Sequence, residues 1–223
     1  FEKVFLNGEN LSFGKDLNDW VIENVLFKVL YPAEFHGQSA IEASVKLSDL
    51  YKEKEQEIEK IIVETHEPAI RIISNKENLK NASDRDHSLE FMVAAGLLFK
   101  EVNSKTYEDN FSGLKQIENL RRKIKVQENK EFTENYYDIS KRHIANTVYF
   151  EYNDGSFSKK ETVETPIGHP NRREEAEPLL KQKFINNMSS HFSEERAKDI
   201  WEKILLIDVD SEFKEVIKLL SND

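Results

Sequence analysis

A hairpin signal in the second half of the chain constrains the fold more than any other feature. Two runs rich in β-branched and aromatic residues, 144–152 and 157–163, flank the turn sequence Asn153-Asp154-Gly155. Aspartate followed by glycine favours the tight turns that join antiparallel strands, because glycine adopts a positive φ without strain. The sequence therefore predicts two neighbouring antiparallel strands, and hence a sheet that other elements cover or extend.

Helices and further extended segments are predicted around this hairpin. The β-branched run Ile58–Thr65 predicts a strand, and residues 69–73 predict a second extended or turn segment. Apolar residues at helical spacing predict helices over residues 39–51, 114–124, 178–191, 194–206 and 210–220, and a further helix whose apolar face includes Leu89, Met92, Val93, Gly96 and Leu97. We expect Ser193 to cap the helix at 194, and Ser83 or Asp84, at the end of a polar loop, to cap the helix that contains Leu89. Together these elements indicate an α+β fold, in which a small antiparallel or mixed sheet with flanking helices is followed by a helical tail.

Composition narrows the class of function. The 223 residues include 42 acidic and 32 basic side chains, a formal net charge of −10, which argues against non-specific binding to nucleic acid or to anionic membranes. The chain has no cysteine, so disulfides, thiolate nucleophiles and iron–sulfur clusters are excluded. No apolar run is long enough to span a bilayer, and we expect a protein of the cytoplasm, or of the mitochondrial matrix in a eukaryote.

A turn marked by Pro32 joins an apolar run to the helix predicted at 39–51. Proline fixes its own φ and disfavours helix at the preceding Tyr31, so the apolar run should end extended there. Glu34, His36 and Gln38 would then lie on a connection, where polar side chains can converge on a ligand. The turn is the first candidate site, although a single histidine on a turn is more often structural than catalytic.

Metal and nucleotide sites receive little support from the sequence. No two histidines have the i, i+4 spacing of a zinc-binding helix, and the seven glycines form no phosphate loop. The Gly-x-Ser-x-Gly sequence of a nucleophile elbow is also missing. We therefore expect neither a metal nor another cofactor.

Several short blocks lie in a fixed order along nearly the whole chain. They are Glu23-Asn24-Val25-Leu26-Phe27-Lys28, Phe35-His36-Gly37-Gln38, Thr65-His66-Glu67, Asp84-Arg85-Asp86-His87, Lys141-Arg142, Ala145-Asn146 and Pro166-Ile167-Gly168-His169-Pro170. In content and order they resemble the MmgE/PrpD family, and within it the 2-methylcitrate dehydratases of PrpD type. The resemblance implies the carboxy-terminal portion of a protein about twice as long. Residues 1–26 would lead in from a missing amino-terminal helical domain, 27–165 would form the α+β domain, and 166–223 would be helices that pack on the helical domain.

The resemblance also implies an activity. It points to a cofactor-independent hydro-lyase that dehydrates 2-methylcitrate to 2-methyl-cis-aconitate in propionate catabolism and acts as a homodimer. The site of such an enzyme lies between the two domains, so the isolated chain would be inactive. A cis-aconitate decarboxylase, or another lyase of the family, is the nearest alternative. An alternative of a different class is a non-catalytic assembly module, whose three terminal helices bury their apolar faces against a partner.

Removing water from a tricarboxylate requires cations for the carboxylates, a base for the carbon-bound proton and an acid for the departing hydroxyl. Histidine suits an acid or base role, and lysine or arginine can hold a carboxylate. From the matching motif, the resemblance makes His36 the acid/base residue. It also suggests that Lys28 binds a carboxylate or takes part in proton transfer, although a lysine that only flanks a buried strand is an equal alternative.

Three further residues are candidates for binding the substrate, and each has a structural alternative. Arg85 could clamp a carboxylate or form a salt bridge where its helix begins. Phe91 stands where close relatives commonly carry tyrosine, so it could alter the activity or simply pack in the core. His66 follows the predicted strand 58–65 and could line the cleft or be structural.

The two classes of function predict different surroundings for His36 and Lys28. An enzyme should direct both side chains into one concave cleft. A non-catalytic module should leave Lys28 in solvent and satisfy His36 with a local hydrogen bond.

Overall fold

The computed structural model describes residues 25–74, 77–207 and 213–221, together with residues 4, 7 and 8. The helices in these parts of the chain are α1 (Phe35–Lys54), α2 (Glu67–Ile73), α3 (Ala82–Asp86), α4 (Leu89–Phe99), α5 (Leu114–Arg121), α6 (Lys130–Tyr137), α7 (Arg173–Met188), α8 (Glu194–Ile204) and α9 (Phe213–Leu219). The strands are β1 (Ile58–Thr65), β2 (Ile124–Glu128), β3 (Asn146–Tyr152) and β4 (Glu161–Val163). These elements confirm the predicted α+β class. The predicted lead-in segment, residues 1–26, lies almost entirely outside the described residues.

The four strands form one mixed sheet in the order β2-β1-β3-β4. β1 is parallel to β2 and antiparallel to β3, and β3 is antiparallel to β4, which confirms the predicted hairpin. Gly155 in the hairpin turn has φ +82°, as expected for a glycine in this position. Thr65 pairs with Glu128 and with Asn146. The end of β1, the end of β2 and the start of β3 therefore lie side by side at one edge of the sheet.

The core lies between the sheet and the two helices α1 and α4. Buried side chains of both helices, including Ile41, Leu47 and Met92, share one hydrophobic cluster with Val63 and Phe150 of the sheet. Full burial of each such aliphatic or aromatic side chain contributes about 1.5–3 kcal/mol.

Glycines allow α1 and α4 to approach each other closely. A Cβ on Gly37 would overlap Sδ of Met92, and a Cβ on Gly96 would overlap Oγ of Ser44. Gly37 directly follows His36, so the packing of these helices also determines where the first turn of α1 lies.

The structure corrects the prediction of an extended or turn segment at residues 69–73, which belong to helix α2. Pro68 lies in the first turn of α2, where its missing N–H costs nothing, and Glu67 precedes it. Ala69 and Ile73, four residues apart, are both fully buried. Burial of this helical face outweighs the strand preference of the isoleucines in the segment.

A second correction concerns residues 114–124, which were predicted as one helix. Helix α5 ends at Arg121, and Ile124 begins β2. In β2, Ile124 and Val126 alternate with polar residues, but only Ile124 is fully buried, and the strand lies at the edge of the sheet. The cap of α4 also differs from the prediction: Oγ of Ser88 accepts the N–H of Phe91, whereas Ser83 and Asp84 lie within α3.

The chain ends in helices, as predicted. Oγ of Ser193 caps α8 by accepting the N–H of Arg196. Arg172, just before α7, donates two hydrogen bonds of 2.8 and 3.1 Å to the carboxylate of Glu42, which ties the start of the tail to α1. Across the described stretches, every helix is too short or too polar to cross a bilayer.

Candidate active site

Glu34 organises the first turn of α1. Its carboxylate accepts the backbone N–H of His36 at 2.8 Å and lies 2.8 Å from Nδ1 of the same residue. Burial raises the pKa of Glu34, but these hydrogen bonds and the charge of a protonated His36 outweigh it, so the pKa lies below its ordinary value. An ionised Glu34 keeps a proton on Nδ1 of His36, and Nε2 is then the nitrogen that gains or loses a proton.

Two aromatic side chains surround the other side of the His36 ring. The hydroxyl of Tyr136 lies 3.2 Å from Nε2 of His36. The ring of Tyr136 stacks on His66, with centroids 4.8 Å apart and an interplanar angle of 14°. The rings of His36 and His66 are 5.2 Å apart. We call Glu34, His36, His66 and Tyr136 the His36 cluster.

His66 is a neutral, fully buried member of this cluster. Its Nδ1 lies 3.3 Å from the carbonyl of Ala145 and donates to it, while its buried Nε2 has no hydrogen-bond partner among the residues that the structure describes. Burial, followed by repulsion from a protonated His36, lowers the pKa of His66 to about 4. From its sequence, His66 could line the cleft or be structural, and the structure brings it beside His36.

Asn146, the first residue of β3, holds the start of α1 against the sheet. Its Nδ2 donates to the carbonyl of His36 and to Oγ of Ser39, both at 2.8 Å. Oγ of Ser39 in turn donates to the carbonyl of Ile144. The backbone of His36 is thus fixed by a buried network and not by the helix alone.

Helix α6 carries Tyr136 to the cluster. Asn129 accepts the N–H groups of Glu131 and Phe132 and so caps the helix, and its own N–H donates to the carbonyl of Thr65 at 2.8 Å. No motif in the sequence singles out Tyr136. Asn129 followed by apolar and aromatic residues was an available helix signal, but nothing in the sequence connects that helix to residue 36.

Lys28 lies outside the hydrogen bonds of the His36 cluster. Its side chain is exposed, and its ammonium nitrogen lies 5.3 Å from the centre of the Phe35 ring. The exposure of Lys28 and the local bond from Glu34 to His36 are what we expected of a non-catalytic module. The contacts of His36 with Tyr136 and His66 are not local, however, and neither hypothesis anticipated them.

The structure does not place Arg85 and Phe91 as substrate-binding residues. The guanidinium of Arg85 donates to the carbonyl of Tyr107 and to the carboxylate of Asp109, the latter at 2.6 Å, and only 7% of its side chain is exposed. Phe91 is fully buried, and its ring stacks on that of Tyr107 at 5.8 Å. Both side chains are held in the core or at its edge, which favours their structural alternatives, while substrate binding by either residue stays a prediction.

Comparison with known proteins identifies the family. The sequence profile of the MmgE/PrpD C-terminal domain matches residues 31–208 of the chain. The chain belongs to the MmgE/PrpD family. All members of the His36 cluster lie within the matched residues.

Several members of the MmgE/PrpD family are similar to this chain over most of its length. A 2-methylcitrate dehydratase of Escherichia coli K12 is 41% identical over 205 residues, which are 91% of this chain and 42% of that protein. A probable 2-methylcitrate dehydratase of Saccharomyces cerevisiae is 38% identical, over 89% of this chain and 39% of that protein. A mitochondrial 2-methylcitrate dehydratase of Yarrowia lipolytica is 36% identical, over 90% of this chain and 39% of that protein. The chain thus spans about two fifths of the length of these relatives.

Proposed function

We propose that this chain is the carboxy-terminal portion of a cofactor-independent hydro-lyase that dehydrates 2-methylcitrate to 2-methyl-cis-aconitate. The full-length enzyme would act as a homodimer in the cytoplasm, or in the mitochondrial matrix of a eukaryote. An amino-terminal helical domain would cover the His36 cluster and contribute further site residues. The relatives support the substrate, since those named above are 2-methylcitrate dehydratases or a probable one.

The observation that carries the proposal is the pairing of Glu34 with His36. A carboxylate on Nδ1 orients an imidazole and stabilises its protonated form, and Nε2 is left to exchange a proton. This is the arrangement that an acid or base in a dehydration needs. The neutral state of His66 keeps a second positive charge away from His36.

We assign carboxylate binding to Lys28. Its exposed ammonium lies next to Phe35, one residue from His36, on a surface that the amino-terminal domain would cover. A 2-methylcitrate anion carries three carboxylates, so one lysine cannot neutralise it, and the remaining cations would come from the amino-terminal domain.

The test is turnover by the full-length protein that carries this chain. Formation of the conjugated alkene from 2-methylcitrate is followed by ultraviolet absorbance in the presence of a chelator. We expect His36→Gln to lower kcat by about 100-fold or more, as is typical for loss of an acid/base group. His191→Gln is the matched control, because His191 is exposed and lies in the helical tail.

Each failure has a distinct meaning. A wild-type protein that leaves 2-methylcitrate unchanged but decarboxylates cis-aconitate would replace the proposed reaction with the alternative that Phe91 suggests. Full activity of His36→Gln would remove His36 from the mechanism. A full-length protein without lyase activity on either acid would favour the assembly module.

A further inference from the structure

The proton-exchanging nitrogen of His36 faces a hydroxyl group and not open space. Oε1 of Glu34 lies 2.8 Å from Nδ1, and the Tyr136 hydroxyl lies 3.2 Å from Nε2. The three side chains therefore form one hydrogen-bonded chain from carboxylate to imidazole to phenol. A carboxylate that orients an imidazole, which in turn exchanges a proton with a hydroxyl, is the general arrangement of an activated hydroxyl group.

The phenol is partly accessible from solvent. Tyr136 is half-buried, as is His36, whose side chain is 13% exposed, whereas His66 is fully buried. A substrate that approaches the cluster from solvent can therefore contact the phenol.

The position of Tyr136 is well determined by packing. Its ring stacks on His66 on one side and meets the ring of Tyr137 edge-on at 5.2 Å. Its helix is also joined to α2, because Oγ1 of Thr133 accepts the N–H of Glu67 at 3.0 Å. These contacts hold the hydroxyl in place independently of the hydrogen bond to His36.

We propose that Tyr136 is a further catalytic residue of this site. Tyr136 is the acid that delivers a proton to the departing hydroxyl, and His36 then returns a proton to the phenol. The inference rests on the proposed dehydratase function and deepens it. When His36 is protonated at both nitrogens, Nε2–H donates to the phenol oxygen, and the phenol O–H is free to point towards the substrate.

The protons balance over one turnover. As the substrate C–O bond breaks, the departing hydroxide takes the phenol proton and leaves as water, and Nε2–H of His36 reprotonates the phenolate. A separate base, an imidazole or carboxylate of the full-length protein, removes the carbon-bound proton as the C=C bond forms. That proton is released to solvent, and His36 regains one from solvent. Burial raises the pKa of Tyr136, which keeps the phenol in the protonated form that an acid requires.

The test compares Tyr136→Phe with Tyr137→Phe in the full-length enzyme. Both changes remove one phenol hydroxyl, and Tyr137 is a matched control because its exposed hydroxyl lies 3.2 Å from Glu67 and outside the cluster. We expect Tyr136→Phe to lower kcat by about 100-fold with KM changed less than about threefold, and Tyr137→Phe to leave both nearly unchanged. Phenylalanine retains the ring that stacks on His66, so the fold should be kept.

The pH profile separates catalysis from packing. Wild-type kcat should fall at high pH, where the hydrogen-bonded side chains no longer hold the proton that they pass to the substrate, whereas the residual rate of Tyr136→Phe should be flat over the same range. A Tyr136→Phe enzyme with kcat within about threefold of the wild type, or with an unchanged pH profile, would overturn the proposal.

A spectroscopic measurement keeps the inference separate from the proposed function. In protein labelled with ¹⁵N-histidine, Tyr136→Phe should move the Nε2 signal of His36 towards that of a nitrogen without a hydrogen-bond donor, and Tyr137→Phe should not. If the wild type does not dehydrate 2-methylcitrate, the proposed function and the acid role of Tyr136 fail together, whatever this signal shows. If the wild type is active and the Nε2 signal is the same in wild type and Tyr136→Phe, the inference alone is overturned and the proposed function stands.

Discussion

Acid should destabilise this protein through His66. Burial holds the pKa of His66 at about 4 in the folded state, compared with an ordinary value of 6.5. Below about pH 6.5, His66 therefore binds a proton in the unfolded chain but stays neutral in the folded chain. The free energy of unfolding falls as pH decreases. The free energy of unfolding stops falling near pH 4, the folded pKa of His66, after a total decrease of about 3 kcal/mol. About 2 kcal/mol of this decrease has occurred by about pH 5.

The replacement His66→Phe tests this magnitude. Phenylalanine keeps a ring beside Tyr136 but cannot titrate. The free energy of unfolding is measured by urea titration at about pH 7 and about pH 5, for the wild type and the variant. We expect the wild type to lose about 2 kcal/mol more than His66→Phe over this interval, whatever the absolute stability of the variant. The control His191→Gln should retain the wild-type dependence, because His191 is exposed. Parallel pH curves for wild type and His66→Phe would refute the assignment of a neutral, buried His66.

Two further predictions concern the support of the site. Asn146→Ala removes two buried hydrogen bonds to the start of α1. It should lower the free energy of unfolding, measured by urea titration, by about 1–3 kcal/mol, and it should also lower kcat. Arg85→Met leaves Tyr107 and Asp109 without their partner and should lower the thermal midpoint with KM for 2-methylcitrate unchanged. A large rise in KM for Arg85→Met would restore Arg85 as a substrate clamp.

Most of the regular elements could be predicted because their signals are local. The hairpin at Gly155, the strand Ile58–Thr65 and the cap at Ser193 each depend on a few neighbouring residues, and the structure confirms all three. The predictions failed where a neighbour in space changed the outcome. Residues 69–73 became helical through burial of one face, and β2 exists because its backbone pairs with β1 although its side chains are largely polar.

The candidate site was predicted only in part for the same reason. The motif around the Pro32 turn indicated His36, and the short spacing between Glu34 and His36 makes their hydrogen bond a local event. Lys28 and His36 were expected in one cleft, but the structure connects Lys28 to the cluster only through the ring of Phe35. Whether a second domain completes that cleft is part of the proposed function.

The sequence by itself determined most of the helices and strands, the net acidic charge and the motif that contains His36. Its lack of cysteine also excluded disulfides and thiolate chemistry. Only the tertiary structure decided that His66 and Tyr136 meet His36, the latter from 100 residues away. The physical reason is the register of the sheet. Pairing of Thr65 with Glu128 and Asn146 aligns the ends of three strands, and the residues beyond those ends converge on the first turn of α1. Strand pairing joins distant parts of the chain through backbone hydrogen bonds, which leave no pattern in the side chains that they bring together.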